Sequence, residues 1–215
     1  MTQLASPSPS VDRPDRFDRS RVDRFEVRRG ELADAALETL GELGYARTSL
    51  REIAHKTEFS HGVLHYYFRD KNELITYCVR RSKEHCVTRY DEILASAASA
   101  DDLAELFAEA LTETMRVDTS THRLWYDMRT QAMFEEGLRP TVVDIDRQLE
   151  AMISRVVNHY AVLRGRPLRV SQAMAYAVFD GLFETCLMRH IAGDECAAPR
   201  LRAESAQLLP MLVAD

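Results

Sequence analysis

Long apolar runs are missing from this 215-residue chain. None approaches the ~20 residues that a bilayer-spanning helix requires, so no membrane partner is expected. The first residues, MTQLASPSPSVDRPDR, lack the apolar centre of a secretory signal, and a cytoplasmic location is expected. Cysteine is sparse and unpatterned: Cys78, Cys86, Cys186 and Cys196 show neither CxxC nor Cys/His spacing. They are expected to be small, reduced, buried or semi-exposed side chains, and no metal site is assigned. A glycine-rich phosphate loop, a GxSxG elbow and an HExxH pair are also absent. With no catalytic residue and no cofactor signature, an enzyme is not the expected reading.

Glycine and proline number only 8 and 7, while Ala, Leu, Glu and Arg are abundant and 46% of the residues are hydrophobic. That composition suits an all-helical chain large enough for one sizeable domain or two small ones. The net charge is −6, with 15 Lys/Arg against 14 Asp/Glu in residues 1–85 and 13 against 20 beyond them. The chain is not basic overall, yet a surface that meets a polyanion needs only a few well-placed cations. No internal repeat is visible.

Residues 1–22 combine Pro, Ser, Asp and Arg with too few apolar side chains to order themselves. Arg13, Arg16, Arg19, Arg21 and Arg24 could follow a phosphate backbone, but the interleaved Asp12, Asp15, Asp18 and Asp23 favour an unstructured, charge-balanced tail. Leu32, Ala35, Ala36, Leu40 and Leu43 then mark a helix over residues 25–43, stopped by Gly44.

Residues 48–74, TSLREIAHKTEFSHGVLHYYFRDKNEL, organise the rest. Thr48 and Ser49 cap a short helix with Leu50, Ile53 and Ala54 on its inner side. Ser60 caps a second short helix in which Val63 and Leu64 are apolar and His61, His65 and Tyr66 can point outward. Asp70, with Glu73 three residues on, caps a third. Two short helices across a tight turn, the second rich in donors, form a helix-turn-helix able to enter a major groove.

This run resembles the DNA-binding segment of the TetR/AcrR family of bacterial transcriptional repressors. The matching features are the threonine opening the second helix, Ile53-Ala54, Ser60, Gly62-x-Leu64, Tyr66-Tyr67-Phe68, and Lys71 with Glu73-Leu74. One departure is Glu58, where the family often carries glycine. The resemblance implies domains at 23–70 (helix-turn-helix) and 71–215 (helical, for effector binding and dimerisation), after the 1–22 tail. It implies contacts to double-stranded DNA from Thr48, Arg51, Ser60, His61, Val63, His65, Tyr66 and Lys71, with Phe68 in the core. Arg28 and Arg29 would lie near phosphates.

A longer helix is expected over residues 71–96, with Leu74, Ile75, Cys78, Val79, Cys86 and Ile93 inside and Arg80, Arg81 and Lys83 outside. Further helices are expected over 103–117, 121–136, 140–163, 171–192 and 199–213. Phe107, Met115, Trp125, Tyr126, Met128, Met133, Phe134, Tyr160 and Met174 are large and polarizable, and by the resemblance they would line an effector cavity suited to an apolar or cationic molecule. The stretch 122–140 is similar to the choline-responsive BetI-like branch of the family. Val178, Phe179, Leu182, Phe183, Cys186, Leu201 and Leu208 leave few polar positions on the last two helices, which implies a homodimer packed as a four-helix bundle. The expectation is a ligand-released repressor on a palindromic operator; the alternative is a helical enzyme or ligand carrier with a degenerate helix-turn-helix.

Overall fold

The computed structural model describes residues 16–214, with side chains from Asp23 onward except Glu84 and His85. Residues 1–15, including Arg13, lie outside the described residues, as do the side chains of Arg16, Arg19 and Arg21. The described residues are all helical apart from connections, in ten α-helices. Among them no helix is long and apolar enough to cross a membrane.

Helix α1 (Arg16–Leu43) begins nine residues ahead of the expected start. Part of the expected tail is thus helical: no proline or glycine interrupts residues 16–29, and alternating charges leave helical spacing open. Gly44 ends α1 with φ 76°, a left-handed stop that a side chain would strain. Then come α2 (Leu50–Lys56) and α3 (His61–Tyr67), capped by Ser49 and Ser60 through hydroxyls that accept from the amides of Glu52 and Val63. Asp70 caps α4 (Lys71–Val87) by accepting from the Glu73 amide at 2.9 Å, and the Glu73 carboxylate accepts from the Arg69 amide at 2.8 Å.

The expected helix over 71–96 is broken. After α4 the chain turns through Thr88–Tyr90 and restarts as α5 (Asp91–Ser96). Tyr90 is drawn inward with its ring 5.0 Å from that of Phe107, and Arg89 pairs with Asp118 at 2.6 Å. The Val87 carbonyl accepts from Arg155. These long-range partners outweigh the helical continuation that local pattern suggests.

The larger body holds α6 (Ala100–Val117), α7 (Thr119–Ala132), a 3-10 turn at Glu136–Leu138, α8 (Arg139–Arg164), α9 (Gln172–Ile191) and α10 (Ala197–Met211). Helix α10 packs on α6 and α9, α8 on α9, and α1 on both α4 and α7. One apolar core runs from Leu32 in α1 to Val213 beyond α10. Gly41 sits where α1 crosses α7: a Cβ there would lie 2.5 Å from the Ser120 Cβ, so the two helices approach this closely only over glycine.

Candidate nucleic-acid interface and buried cavity

The smaller unit is held from inside. Ile53, Leu64 and Phe68 are fully buried, so α2 and α3 are pinned by their inner faces alone. This leaves the outer side of α3 to His61, His65 and Tyr66, all exposed, with the two histidine rings 4.4 Å apart edge to face. Tyr66 is 73% exposed and its ring lies 6.0 Å from that of Phe25 on α1. Val63 is half-buried against the core, and Arg51 and Ser60 are exposed on the same side of the unit. Gly62 has no neighbour that explains it: a Cβ there would meet nothing closer than the Ser60 Oγ at 4.0 Å.

Two expected contact residues are engaged internally. Thr48 is buried, and its hydroxyl donates to the Gly44 carbonyl at 2.7 Å; Ser49 takes the cap instead. That is a correction: Thr48 stitches the turn after α1 rather than facing outward. Lys71 donates to the Tyr45 carbonyl at 3.1 Å, with its ammonium 4.1 Å from the centre of the Tyr45 ring. Arg29 lies between Phe68 and Tyr77 and pairs with Glu73 at 2.6 Å, so it supports the unit from within. Arg28 pairs with Glu31 and stacks on Phe59.

In the larger body a cavity of about 70 Å³ opens between α4, α6, α7, α8 and α9. Its walls include Tyr90, Leu111, Trp125, Leu149, Met152, Ile153, Phe179 and Phe183, with Lys83, Cys86, Arg89, Thr114, His122, Tyr126, Tyr176 and Asp180 supplying polar groups. Lys83, expected on the outside of its helix, is 2% exposed. The correction has a structural reason: α4 is covered on a second side by α7 and α8, so positions that look solvent-facing in a single helix are enclosed.

The polar groups differ in how they are satisfied. Asp180 accepts from Arg129 at 2.6 Å and from the Tyr126 hydroxyl at 3.0 Å. Asp118 accepts from Arg89 at 2.6 Å and from the Thr114 hydroxyl at 3.1 Å. Thr114 has a single proton, so with that proton given to Asp118 the 3.0 Å contact to His122 requires Nε2–H of the imidazole to donate. Burial holds His122 well below its ordinary value of 6.5, with Lys83 and Arg89 adding to the shift. Burial also pushes the Tyr126 hydroxyl up, and Asp180 pushes the same way. Lys83 makes no hydrogen bond or ion pair with any described residue; its ammonium stands 5.6 Å from the centre of the Trp125 ring. Burial lowers its pKa, Arg89 in the same direction, against Cys86, Asp118 and Asp180. The buried Trp125 Nε1 also lacks a partner among the described residues.

Residues 32–78 match the profile described as bacterial regulatory proteins, tetR family. In that segment the chain is similar to the TetR family. Its curated relatives include the HTH-type transcriptional regulator BetI of Yersinia pestis, 28% identical over 120 residues, which cover 55% of this chain and 61% of that one. The chain thus spans about three fifths of the length of the curated relatives it matches. Among solved structures, a protein of Saccharomonospora viridis described as a transcriptional regulator, in complex with choline, has a TM-score of 0.72 at 16% identity, covering 88% of this chain and 100% of that one. The transcriptional regulator FadR of Bacillus subtilis, in complex with stearoyl-CoA, gives 0.64 at 18% identity, covering 85% and 96%.

Within the chain the sequence-predicted effector residues do not all converge. Trp125 and Tyr126 line the cavity. Phe107, Met115, Met128 and Tyr160 are fully buried in the core without lining it; Phe107 backs Phe179 at 5.3 Å. Met133 and Phe134 are 73% and 80% exposed, because α7 ends at Ala132 and the chain turns away before they could face inward. Met174 is 55% exposed on the outer side of α9.

The expected interface residues divide in the same way. Phe179, Phe183, Cys186 and Leu201 are buried within the subunit, the first two in the cavity wall, so their assignment to an outer face is corrected. Val178, Leu182 and Leu208 face a shallow groove with Met211. On α9, Val178 and the half-buried Leu182 continue with Met174, Gly181, Thr185 and Met188 as an outward stripe at helical spacing. Helical phase along α9 separates the two sets; its apolar residues on both sides concealed it.

Proposed function

We propose that this chain is a homodimeric, sequence-specific DNA-binding transcriptional regulator, a repressor released from a palindromic operator by a small molecule. The carrying observation is α3: seven residues anchored by Leu64 and the following Phe68, with His61, His65 and Tyr66 on the outer side. A short helix held only by its inner face is what a major groove admits. His61 and Val63 would read base edges, while Arg51, Ser60, His65 and Tyr66 would meet phosphates or nearby edges. Lys71 would reach a phosphate with the N–H bonds it does not give to Tyr45.

The stripe on α9 and the groove beside α10 support a two-fold contact between copies, since exposed Met174, Val178, Met188 and Met211 gain most by burial against their own image. Residues 23–70 would form the DNA-reading unit and 71–215 the effector and dimer unit. A regulator of this kind works in the cytoplasm, beside the chromosome.

Coupling would run through two helices that serve both units. Helix α4 carries Asn72 under the Tyr45 hydroxyl at one end and Lys83 and Cys86 in the cavity wall further along. Helix α7 carries His122, Trp125 and Tyr126 in that wall, and Asp127, whose carboxylate accepts from the Tyr45 amide at 2.6 Å. A ligand that shifts either helix displaces the end of α1 and with it α2 and α3. Release follows only if the ligand prefers the displaced arrangement.

The test is a mobility shift with duplex DNA flanking the gene, repeated across a salt series. Specific retardation that weakens steeply with salt is expected, and Arg51→Ala should flatten the slope of log affinity against log salt by about one unit. Retention of every DNA equally, flanking or not, would contradict sequence-specific regulation.

A further inference from the structure

The carboxylate that lines the cavity, Asp180, already has Arg129, and Asp118, outside the lining, has the cavity's Arg89, each pair at 2.6 Å. Lys83 has none among the described residues, although it is 2% exposed and lines the cavity. A buried ammonium without a counter-charge is among the costlier arrangements a fold can hold, and a bound anion relieves it. Trp125 lines the same cavity, and its buried indole N–H is a second donor without a partner among the described residues. Two donors and no free acceptor carboxylate define the polarity of the missing partner.

The aromatic faces lead to the same conclusion. A quaternary ammonium ligand needs open ring faces or an unpaired carboxylate. Here Lys83 stands 5.6 Å from the Trp125 ring centre, and Arg129 stands 5.8 Å from that centre and 5.7 Å from that of Tyr126. The protein's own cations hold those positions. Size narrows the class further: about 70 Å³ corresponds to room for roughly five waters, which suits a compact molecule.

We propose that this cavity binds a small carboxylic acid with a compact apolar body, its carboxylate paired with Lys83 and accepting from the Trp125 indole N–H. The apolar body would rest against Met152, Ile153, Phe179 and Phe183. Where the lysine amine is neutral in the empty cavity, an entering acid transfers its proton to the amine, and the same carboxylate–ammonium pair results. This deepens the effector reading above and rests on it for its regulatory meaning, but ligand binding can be measured without DNA.

The full chain would be titrated with butyrate, isovalerate and benzoate, their amides, inorganic phosphate and choline. Calorimetry and the emission of Trp125, the single tryptophan, would both be read. The acids should bind ~10–100-fold more tightly than the matched amides, the range expected for one charge-assisted contact. Lys83→Met, which keeps the apolar stem, should remove that advantage while leaving amide affinity within about threefold. Trp125→Phe should weaken the acids by several-fold and serves as the second variant if Lys83→Met does not fold. Choline or phosphate binding more tightly than every acid would overturn the proposal, as would acid affinity that both variants leave unchanged. Operator binding of the same preparation separates the two readings. Specific DNA binding without acid binding defeats this proposal alone. Acid binding with no effect on an otherwise specific DNA complex keeps the ligand class and defeats release by that ligand.

Discussion

The unit formed by α1–α3 and the body from α6 to α10 solve opposite problems with the same helical material. In the first, the candidate contact groups stand in water and the fold needs little from them: Tyr66 is 73% exposed and Gly62 meets no neighbour. In the second, the candidate contact groups are the core itself. Trp125 is 1% exposed and lines the cavity, and His122 and Lys83 are enclosed beside it. Substitution can therefore separate binding from stability in the reading unit, whereas in the body the two are entangled.

The largest expected effect shows that entanglement. Trp125→Ala should cost ~3–5 kcal/mol of unfolding free energy, as large-to-small changes in packed cores do. Tyr66→Ala should leave the urea midpoint nearly unmoved while lowering operator affinity. Equal stability losses from the two would erase the contrast. Trp125→Ala is for the same reason a poor probe of effector binding, and Trp125→Phe is preferable.

A pair of glycines offers the next test. Gly41→Ala places a methyl 2.5 Å from the Ser120 Cβ, with Ser120 backbone atoms at 3.3 Å. Forcing α1 from α7 should cost ~1–3 kcal/mol, in the range of overpacked cores. Gly62→Ala should instead stabilise by ~0.4–1 kcal/mol, because its Cβ meets open space and the unfolded chain loses freedom. If Gly62 exists for close approach to a DNA backbone, the same variant lowers operator affinity. Thermal unfolding and gel shifts on both proteins measure the comparison.

Most of the reading unit was legible in the sequence because its signals are local. Ser60 and Asp70 cap their helices through amides three residues away, as the spacing alone implies. Thr48 was misread because its partner, the Gly44 carbonyl, depends on how the turn after α1 closes. Of the residues assigned to an effector cavity, Trp125 and Tyr126 line it. Helix α9 is apolar on both sides, so periodicity could not tell Phe179 and Phe183, which face inward, from Met174 and Val178, which face out. Lys83 could not be recognised at all: a lysine on a helix reads as solvent-facing until a second helix covers it.

A smaller effect concerns acid. His122 is held neutral by burial, with its folded pKa below the ordinary 6.5. Below pH 6.5 the unfolded chain takes up a proton that the native state refuses, so stability falls as pH drops from there toward the folded value. The slope is at most about 1.4 kcal/mol per pH unit. His122→Gln should flatten this part of the profile. Urea unfolding of both proteins at several pH values between neutral and mildly acidic measures the difference.

The central claim is that two copies of the chain present two α3 helices to one duplex. It is tested most directly by selecting bound sequences from a random pool of duplexes with the full chain, then footprinting the winners. The expected result is a pair of inverted half-sites whose centres lie about 34–36 Å apart or a multiple of that, protected by one dimer. A single unrepeated half-site bound by one copy, or no enrichment over the starting pool, would contradict it.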